Sequence, residues 1–367
     1  MLASLALDWH KVRFDIVQIA VTFCIALGAG ALFLQLGVPA PYLMGSLFGV
    51  WIAGANAPRL QPYLGVARWF HKPVVLGLGV LIGTTFNQQI LSQFGQWQIT
   101  IITMVATTIL VTAIGFFFLT KMRNYDAKLA FLCSVPGGQA EVVVLAKDIT
   151  DKDYVVALFH LVRVVIVFVS TPFLLAFLEG QQAVAQSNIA LQALPSLFDL
   201  DTTQLAIFIA LAIGGFIGAK LIRLPIPHLL GPLLLSSIVH GFGWIELPRI
   251  NEFVILAQLS IGGAIGARLS RVPVKEVFGY LQDAIANTVL ILSAYILSAI
   301  FVANLLHTGF LSVWLAFVPG GLYEVTLLAV IFGFDVAFVA VHHTVRIMLV
   351  IFTLPIIARK FAPGKTG

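Results

Sequence analysis

The chain has 367 residues, 60% of them apolar and 10% charged, with a formal net charge of +5. Soluble domains carry about 25% charged residues, so this composition excludes an ordinary water-soluble protein and points to membrane spans. A nucleic-acid surface is excluded as well, because no basic run is interleaved with aromatic residues. The two cysteines, Cys24 and Cys133, lack metal-ligand spacing and support neither a zinc site nor a disulfide framework.

The first apolar run, residues 16–36, is too long for the core of a signal peptide and lacks a small-residue cleavage site, so it reads as an uncleaved first span. Further apolar segments follow at 42–57, 73–90, 98–120, 127–147 and 154–178. After a polar linker come 203–222, 228–245, 252–269, 284–305, 310–332 and 336–358. The longer segments, at 1.5 Å per residue, match a hydrocarbon core of roughly 30 Å. The fifth segment of each set is interrupted by Val-Pro-Gly-Gly, at Val135-Pro136-Gly137-Gly138 and at Val318-Pro319-Gly320-Gly321. Each break leaves arms of about 8–11 residues, too short to cross separately.

The two sets correspond residue by residue. Pro39-Ala40-Pro41-Tyr42-Leu43-Met44-Gly45 returns as Pro225-Ile226-Pro227-His228-Leu229-Leu230-Gly231, an offset of 225 − 39 = 186. The block from Val135 to Glu141 returns from Val318 to Glu324, an offset of 318 − 135 = 183. At that second offset His160 matches His343, Arg163 matches Arg346, Pro172 matches Pro355, and Gly79, Ile82 and Gly83 match Gly262, Ile265 and Gly266. A duplicated membrane chain is expected, with a first repeat over 14–178, an external linker over 179–202 and a second repeat over 203–361.

Lysine and arginine decide the topology, since short cytoplasmic loops collect them. If each broken segment enters and leaves on one side, five true spans remain per repeat. With the amino terminus inside, the basic residues outside the spans then face the cytoplasm, from Lys11 and Arg13 through Lys121, Arg123 and Lys152 to Arg268, Arg271 and Lys275. Arg249 alone falls outside, flanked by Glu246 and Glu252. If all six segments crossed, Lys220, Arg223, Arg268, Arg271 and Lys275 would face outward and the basic-free linker inward. The first arrangement therefore holds, and five spans per repeat turn the second repeat upside down.

Helix rise brings both breaks close to the bilayer centre, where Arg163 and Arg346 also fall within their spans. Proline removes a backbone donor and paired glycines permit turns, so each tip, Pro136-Gly137-Gly138 and Pro319-Gly320-Gly321, must open and free amides for an anion. Glu141 and Glu324 occupy the first turn of the returning arm, where the helix dipole favours negative charge. Arginine at the membrane centre costs about 2.5–3.5 kcal/mol on insertion scales and needs a partner or a wet cavity. Both Glu–Arg pairs fit a structural salt bridge and also fit solute or ion binding. His160 and His343 precede their arginines by one helical turn and fit either hydrogen-bonded packing or proton exchange. The glycine runs at Gly77–Gly83 and Gly262–Gly266 read as close-packing helix faces.

The duplicated Pro-x-Pro-x-Leu-x-Gly and Val-Pro-Gly-Gly-x-x-Glu blocks, with the downstream His-x-x-Arg, resemble the AbrB family of bacterial inner-membrane proteins. Its members are often labelled ammonia monooxygenase or regulator of AidB expression. The resemblance runs from about Phe14 to Phe361 and implies membrane location and duplication. Its five-span repeats with a broken segment also look similar to sodium/proton antiporter and bile-acid symporter folds, by analogy alone. The monooxygenase label finds no support in the residues: the eight histidines are dispersed apart from His342-His343, with no ligand spacing.

The expected protein is an all-α polytopic 5+5 inverted repeat with ten transmembrane helices and two re-entrant hairpins, in the bacterial inner membrane with both termini cytoplasmic. The expected function is secondary transport of a small anionic or zwitterionic solute, with protons as the coupling ion. The alternative is a membrane sensor that binds a ligand and affects gene expression indirectly. Binding falls to Pro136, Gly137, Gly138, Glu141, His160, Arg163, Pro319, Gly320, Gly321, Glu324, His343 and Arg346. No catalytic residue, metal or cofactor is expected, so the chain does not read as an enzyme. The partners are the lipid bilayer, the solute and protons; nucleic acid is excluded and a homo-oligomer permitted.

Overall fold

A computed structural model describes residues 9–93, 95–137 and 139–361, and among them every regular element is helical. The helices are α1 (Trp9–Gln35), α2 (Pro41–Asn56), α3 (Arg68–Gly83), α4 (Gln88–Gln93), α5 (Trp97–Phe117), α6 (Ala127–Ser134), α7 (Gln139–Ile149) and α8 (Asp153–Gln192). They continue with α9 (Thr202–Leu221), α10 (Pro227–Gly241), α11 (Asn251–Ser270), α12 (Val274–Leu306), α13 (Phe310–Phe317), α14 (Leu322–Phe332) and α15 (Val336–Phe361). A π-helical turn carries α5 on to Met122.

Seven of these, α1, α5 with its extension, α8, α9, α11, α12 and α15, are long and apolar enough to cross a membrane. Three more of the expected spans, α2, α3 and α10, have only 16, 16 and 15 residues. At 1.5 Å per residue such helices reach about 24 Å, short of a straight crossing. Prolines set their starts: Pro41 opens α2 and Pro227 opens α10, each at the first helical position, where a missing N–H is harmless.

Polarity along the long helices is reversed from that of a soluble bundle. On α5, Ile102, Ile109 and Phe117 are exposed while Thr108 is buried. On α12, Leu297 and Phe301 are exposed while Asn287 is buried. Large apolar surface of this kind is stable against lipid and not against water. The chain is a helical, multi-pass membrane protein.

Two compact units form. The first takes α1, α2, α3, α9, α11, residues 176–192 of α8 and residues 227–237 of α10. The second takes α4 to α7, residues 153–175 of α8, and α12 to α15. Neither coincides with the stretch 14–178 or 203–361, because each draws helices from both. The linker 179–202 is helical as far as Gln192, after a break at Gly180 (φ 83°). It then turns through Ser196, whose hydroxyl donates to Glu252 at 2.6 Å.

Within the first unit the glycines mark helix crossings. A Cβ on Gly45 would lie 2.5 Å from the Gly30 backbone, and one on Gly231 would lie 2.3 Å from the Gly215 carbonyl oxygen. Gly262 of α11 sits over the Leu43 carbonyl, and Gly79 of α3 over the Leu229 carbonyl, both at 2.7 Å from a would-be Cβ. Those four residues match pairwise at the two offsets found in the sequence. Serines seal the same crossings: Ser46 Oγ donates to the Gln258 carbonyl at 3.1 Å, and Ser236 Oγ to that of Val80 at 2.9 Å. Ala40 (φ 49°) and Ile226 (φ 47°), each between two prolines, share a left-handed backbone. That conformation costs a non-glycine residue about 1–3 kcal/mol and must be held by its surroundings.

The second unit is built on α5 and α12, joined by hydroxyl contacts of Thr108 with Tyr295 (2.9 Å) and Thr107 with Ser298 (2.6 Å). Arg123 forms an ion pair with the buried Asp283, and the Tyr125 hydroxyl donates to the same carboxylate at 2.9 Å. Burial, and then the bond to Asp283, push the Tyr125 phenol well up, so it stays a donor.

Candidate functional site

Both Val-Pro-Gly-Gly breaks lie in the second unit, and their arms have the same lengths. α6 and α13 have eight residues each, and α7 and α14 have eleven. Local chemistry stops the first arm. A residue before proline is driven out of the helical region, and Val135 (ψ 122°) and Val318 (ψ 132°) are extended. The first tip then turns through Gly137 at φ 115°, which favours glycine. Gly138 and the side chain of Glu141 lie outside the described residues.

The two tips meet side chains of the opposite half. A Cβ placed on Gly137 would sit 3.5 Å from Arg346 Nε on α15, and one on Gly320 would sit 3.2 Å from Val167 Cγ1 on α8. The Tyr295 side chain of α12 is hydrogen-bonded to that of Arg346. The described residues of the two breaks thus lie together in the second unit, with Pro136, Pro319, Gly320 and Glu324 buried and Gly137 and Gly321 half-buried.

What the arginines bind was not foreseen. Arg163 donates from Nη1 to the Val135 carbonyl and from Nη2 to that of Cys133, both at 2.7 Å. Arg346 donates from Nη1 to the carbonyls of Phe317 (2.8 Å) and Val318 (3.0 Å), and from Nη2 to that of Gly320 (3.3 Å). Each arginine therefore caps the carboxyl end of a broken arm, where a helix leaves its last carbonyls without partners and carries a partial negative charge. Both side chains are buried. The Nε–H of each finds no acceptor among the described residues.

The histidines repeat the pattern. His160 Nε2 bonds the Leu132 carbonyl at 3.0 Å and His343 Nε2 that of Leu315 at 2.8 Å. A carbonyl only accepts, so both rings carry their proton on Nε2. His343 Nδ1 in turn accepts from Arg346 Nη2 at 2.9 Å. With both nitrogens engaged, His343 is neutral and positions Arg346. His342 uses Nδ1 on the Phe338 carbonyl and Nε2 on Thr100 Oγ1, both at 2.7 Å.

Glu324 is buried in the first turn of α14 and its carboxylate folds back onto the helix start. A Cβ on Gly321 would overlap its Oε2, so only glycine at this cap position leaves the carboxylate room. Pro136 and Pro319 end the arms and present no donor. Sequence reasoning missed Tyr295, Asn287 and the Arg123–Asp283 pair. The available signal was a tyrosine, an asparagine and an aspartate in or beside an otherwise apolar span. Among the described residues, no three of His, Cys, Asp and Glu stand together as a metal centre would require.

The family model described as "Transition state regulatory protein AbrB" matches residues 47–362, most of the chain and all of this site. The chain is 26% identical over 302 residues to the "Uncharacterized protein YhjN" of Bacillus subtilis (strain 168), covering 78% of this chain and 77% of that one. It is 24% identical over 339 residues to the "Putative regulator AbrB" of Escherichia coli (strain K12), covering 91% and 94%. With the model spanning both broken segments and both capping arginines, the chain belongs to the AbrB family.

Proposed function

We propose that the protein is a secondary transporter for a small anionic or zwitterionic solute, bound where the two broken segments converge. The observation that carries this reading is the two buried arginines, one capping each break, whose Nε–H groups have no acceptor among the described residues. A buried guanidinium group needs more than carbonyl dipoles to offset its lost hydration, and a solute carboxylate supplies a full opposite charge. Arms of eight and eleven residues, too short to cross alone, support two re-entrant hairpins, and contacts recurring at an offset of 183 support a duplication. On this reading the repeats are inverted, the chain makes ten crossings in the bacterial inner membrane, and both termini are cytoplasmic.

Proton coupling falls to Glu324 and Glu141 in preference to His343, whose two nitrogens are already engaged. In proteoliposomes with an imposed proton gradient, a panel of short carboxylates and amino acids should include at least one that accumulates. Glu324→Gln should abolish gradient-driven accumulation, and Gly321→Ala should reproduce that loss by displacing the same carboxylate. Accumulation unchanged in both variants removes the coupling role. A solute that binds and never crosses favours the second reading, a membrane sensor. That reading takes its support from the word "regulator" in the E. coli relative's name.

Topology has its own test. In a protein lacking Cys24 and Cys133, a cysteine at Ser187 should react with an impermeant reagent from the periplasmic side. Reaction from the cytoplasmic side alone would make the repeats parallel and end the inverted-repeat reading.

A further inference from the structure

Asn287 of α12 is fully buried, and neither its carbonyl oxygen nor its amide nitrogen has a partner among the described residues. The hydroxyl of the adjacent Thr288, also buried, is in the same state. Leaving both ends of a carboxamide unsatisfied in an apolar interior is costly, and an apolar side chain of similar size would avoid the cost. Asparagine at such a position is explained when something other than the protein completes its hydrogen bonds.

The location says what that is. A Cβ on Gly115 of α5 would lie 2.9 Å from Asn287 Oδ1 and 3.0 Å from Ser134 Oγ, so the carboxamide and the hydroxyl at the end of α6 face the same point of α5, where glycine leaves no side chain. Ser134 immediately precedes Val135, whose carbonyl Arg163 holds. Ser134 spends its proton on the Ala130 carbonyl at 2.7 Å, which leaves its lone pairs as acceptors. Asn287, Thr288 and Ser134 thus offer both donors and acceptors beside the arm that Arg163 caps. A bare cation is disfavoured there by the guanidinium charge, and a bare anion would use only the donors.

At the offset of 183 the counterpart of Asn287 is Met104 (287 − 183 = 104), so this polar group belongs to one half only. A site whose arginines are duplicated and whose carboxamide is not is matched to a ligand with different groups at its two ends. We infer that the solute is an organic acid bearing a hydroxyl as well as its carboxylate, and that Asn287 reads the hydroxyl. The inference rests on the anionic-solute reading above and adds the second group. A hydroxyl donates and accepts one hydrogen bond, as the carboxamide requires.

The experiment uses the full-length protein in detergent and reads thermal unfolding against paired acids: lactate with propionate, malate with succinate, 3-hydroxybutyrate with butyrate. Wild type should be half-stabilised by the hydroxylated member of at least one pair at about tenfold lower concentration than by its partner. Asn287→Leu should unfold no lower than wild type without ligand, lose the preference, and keep its response to the acid lacking the hydroxyl. Retained preference in Asn287→Leu overturns the inference. So does an Asn287→Leu protein that fails to fold or melts well below wild type, because the carboxamide then serves the fold. Equal response of wild type to both members of every pair overturns the inference and leaves the anionic site standing; no response to any acid overturns both.

Discussion

Arg346→Ala should lower the unfolding midpoint in detergent more than any other single truncation within the broken segments and the helices that hold them, and should abolish solute binding. Its guanidinium group satisfies the carbonyls of Phe317, Val318 and Gly320 and bonds the His343 ring. On its removal the Val318 carbonyl keeps its bond from the Gly320 N–H, but the carbonyls of Phe317 and Gly320 and Nδ1 of His343 lose their donor. Each such buried acceptor costs about 1–3 kcal/mol when left alone, so a loss of at least about 3 kcal/mol is expected. Arg163→Ala strands two carbonyls and should cost less. Lysine keeps the charge but not the planar fork, and cannot reach three carbonyls at once. Arg346→Lys should therefore fall nearer to alanine than to wild type, and thermal unfolding of the four proteins side by side checks the ranking. An Arg346→Lys protein as stable as wild type would mean that charge alone holds the second break together.

Gly45→Ala and Gly231→Ala should be the most damaging small substitutions in the first unit. The new Cβ would meet backbone atoms of Gly30 and Gly215 at 2.5 and 2.3 Å, and backbone cannot rotate away as a side chain can. Overpacking usually costs about 1–3 kcal/mol, and a backbone clash belongs at the upper end. Gly28→Ala on α1 and Gly218→Ala on α9 supply the opposite sign. Nothing lies within 4 Å of a Cβ at either position, so alanine there gains helix propensity worth up to about 1 kcal/mol. Melting curves of the four variants should divide into two destabilised and two unchanged or stabilised.

The Pro-x-Pro-x-Leu-x-Gly block shows how a legible motif acquires its meaning. Its prolines announce a helix start, and α2 and α10 begin there. Nothing in the sequence says that its glycine is a crossing point, because the partner, Gly30 or Gly215, lies on another helix. The left-handed Ala40 and Ile226 were equally hidden, since neither residue favours that backbone. The Glu–Arg spacing was visible and drew attention to Arg163 and Arg346, but their bonds run to carbonyl oxygens 28 residues back in both halves. Asn287 stood in plain view within an apolar span, and only its burial without a partner among the described residues made it informative.

Residue order alone marks a helical membrane protein, seven of its long apolar helices, the two Val-Pro-Gly-Gly breaks and the motifs that recur at offsets of 183 and 186. Those features rest on local physics: the length a membrane demands, the donor proline lacks, and the ψ that proline imposes on the residue before it. Only the packing of the helices decided that helices from both halves are sorted into two units, that arginines cap the broken arms, and that the Asn287 carboxamide is buried with no partner among the described residues. Every residue carries a carbonyl, so the choice of which carbonyl an arginine takes leaves no mark on composition or spacing and is made only when the helices pack.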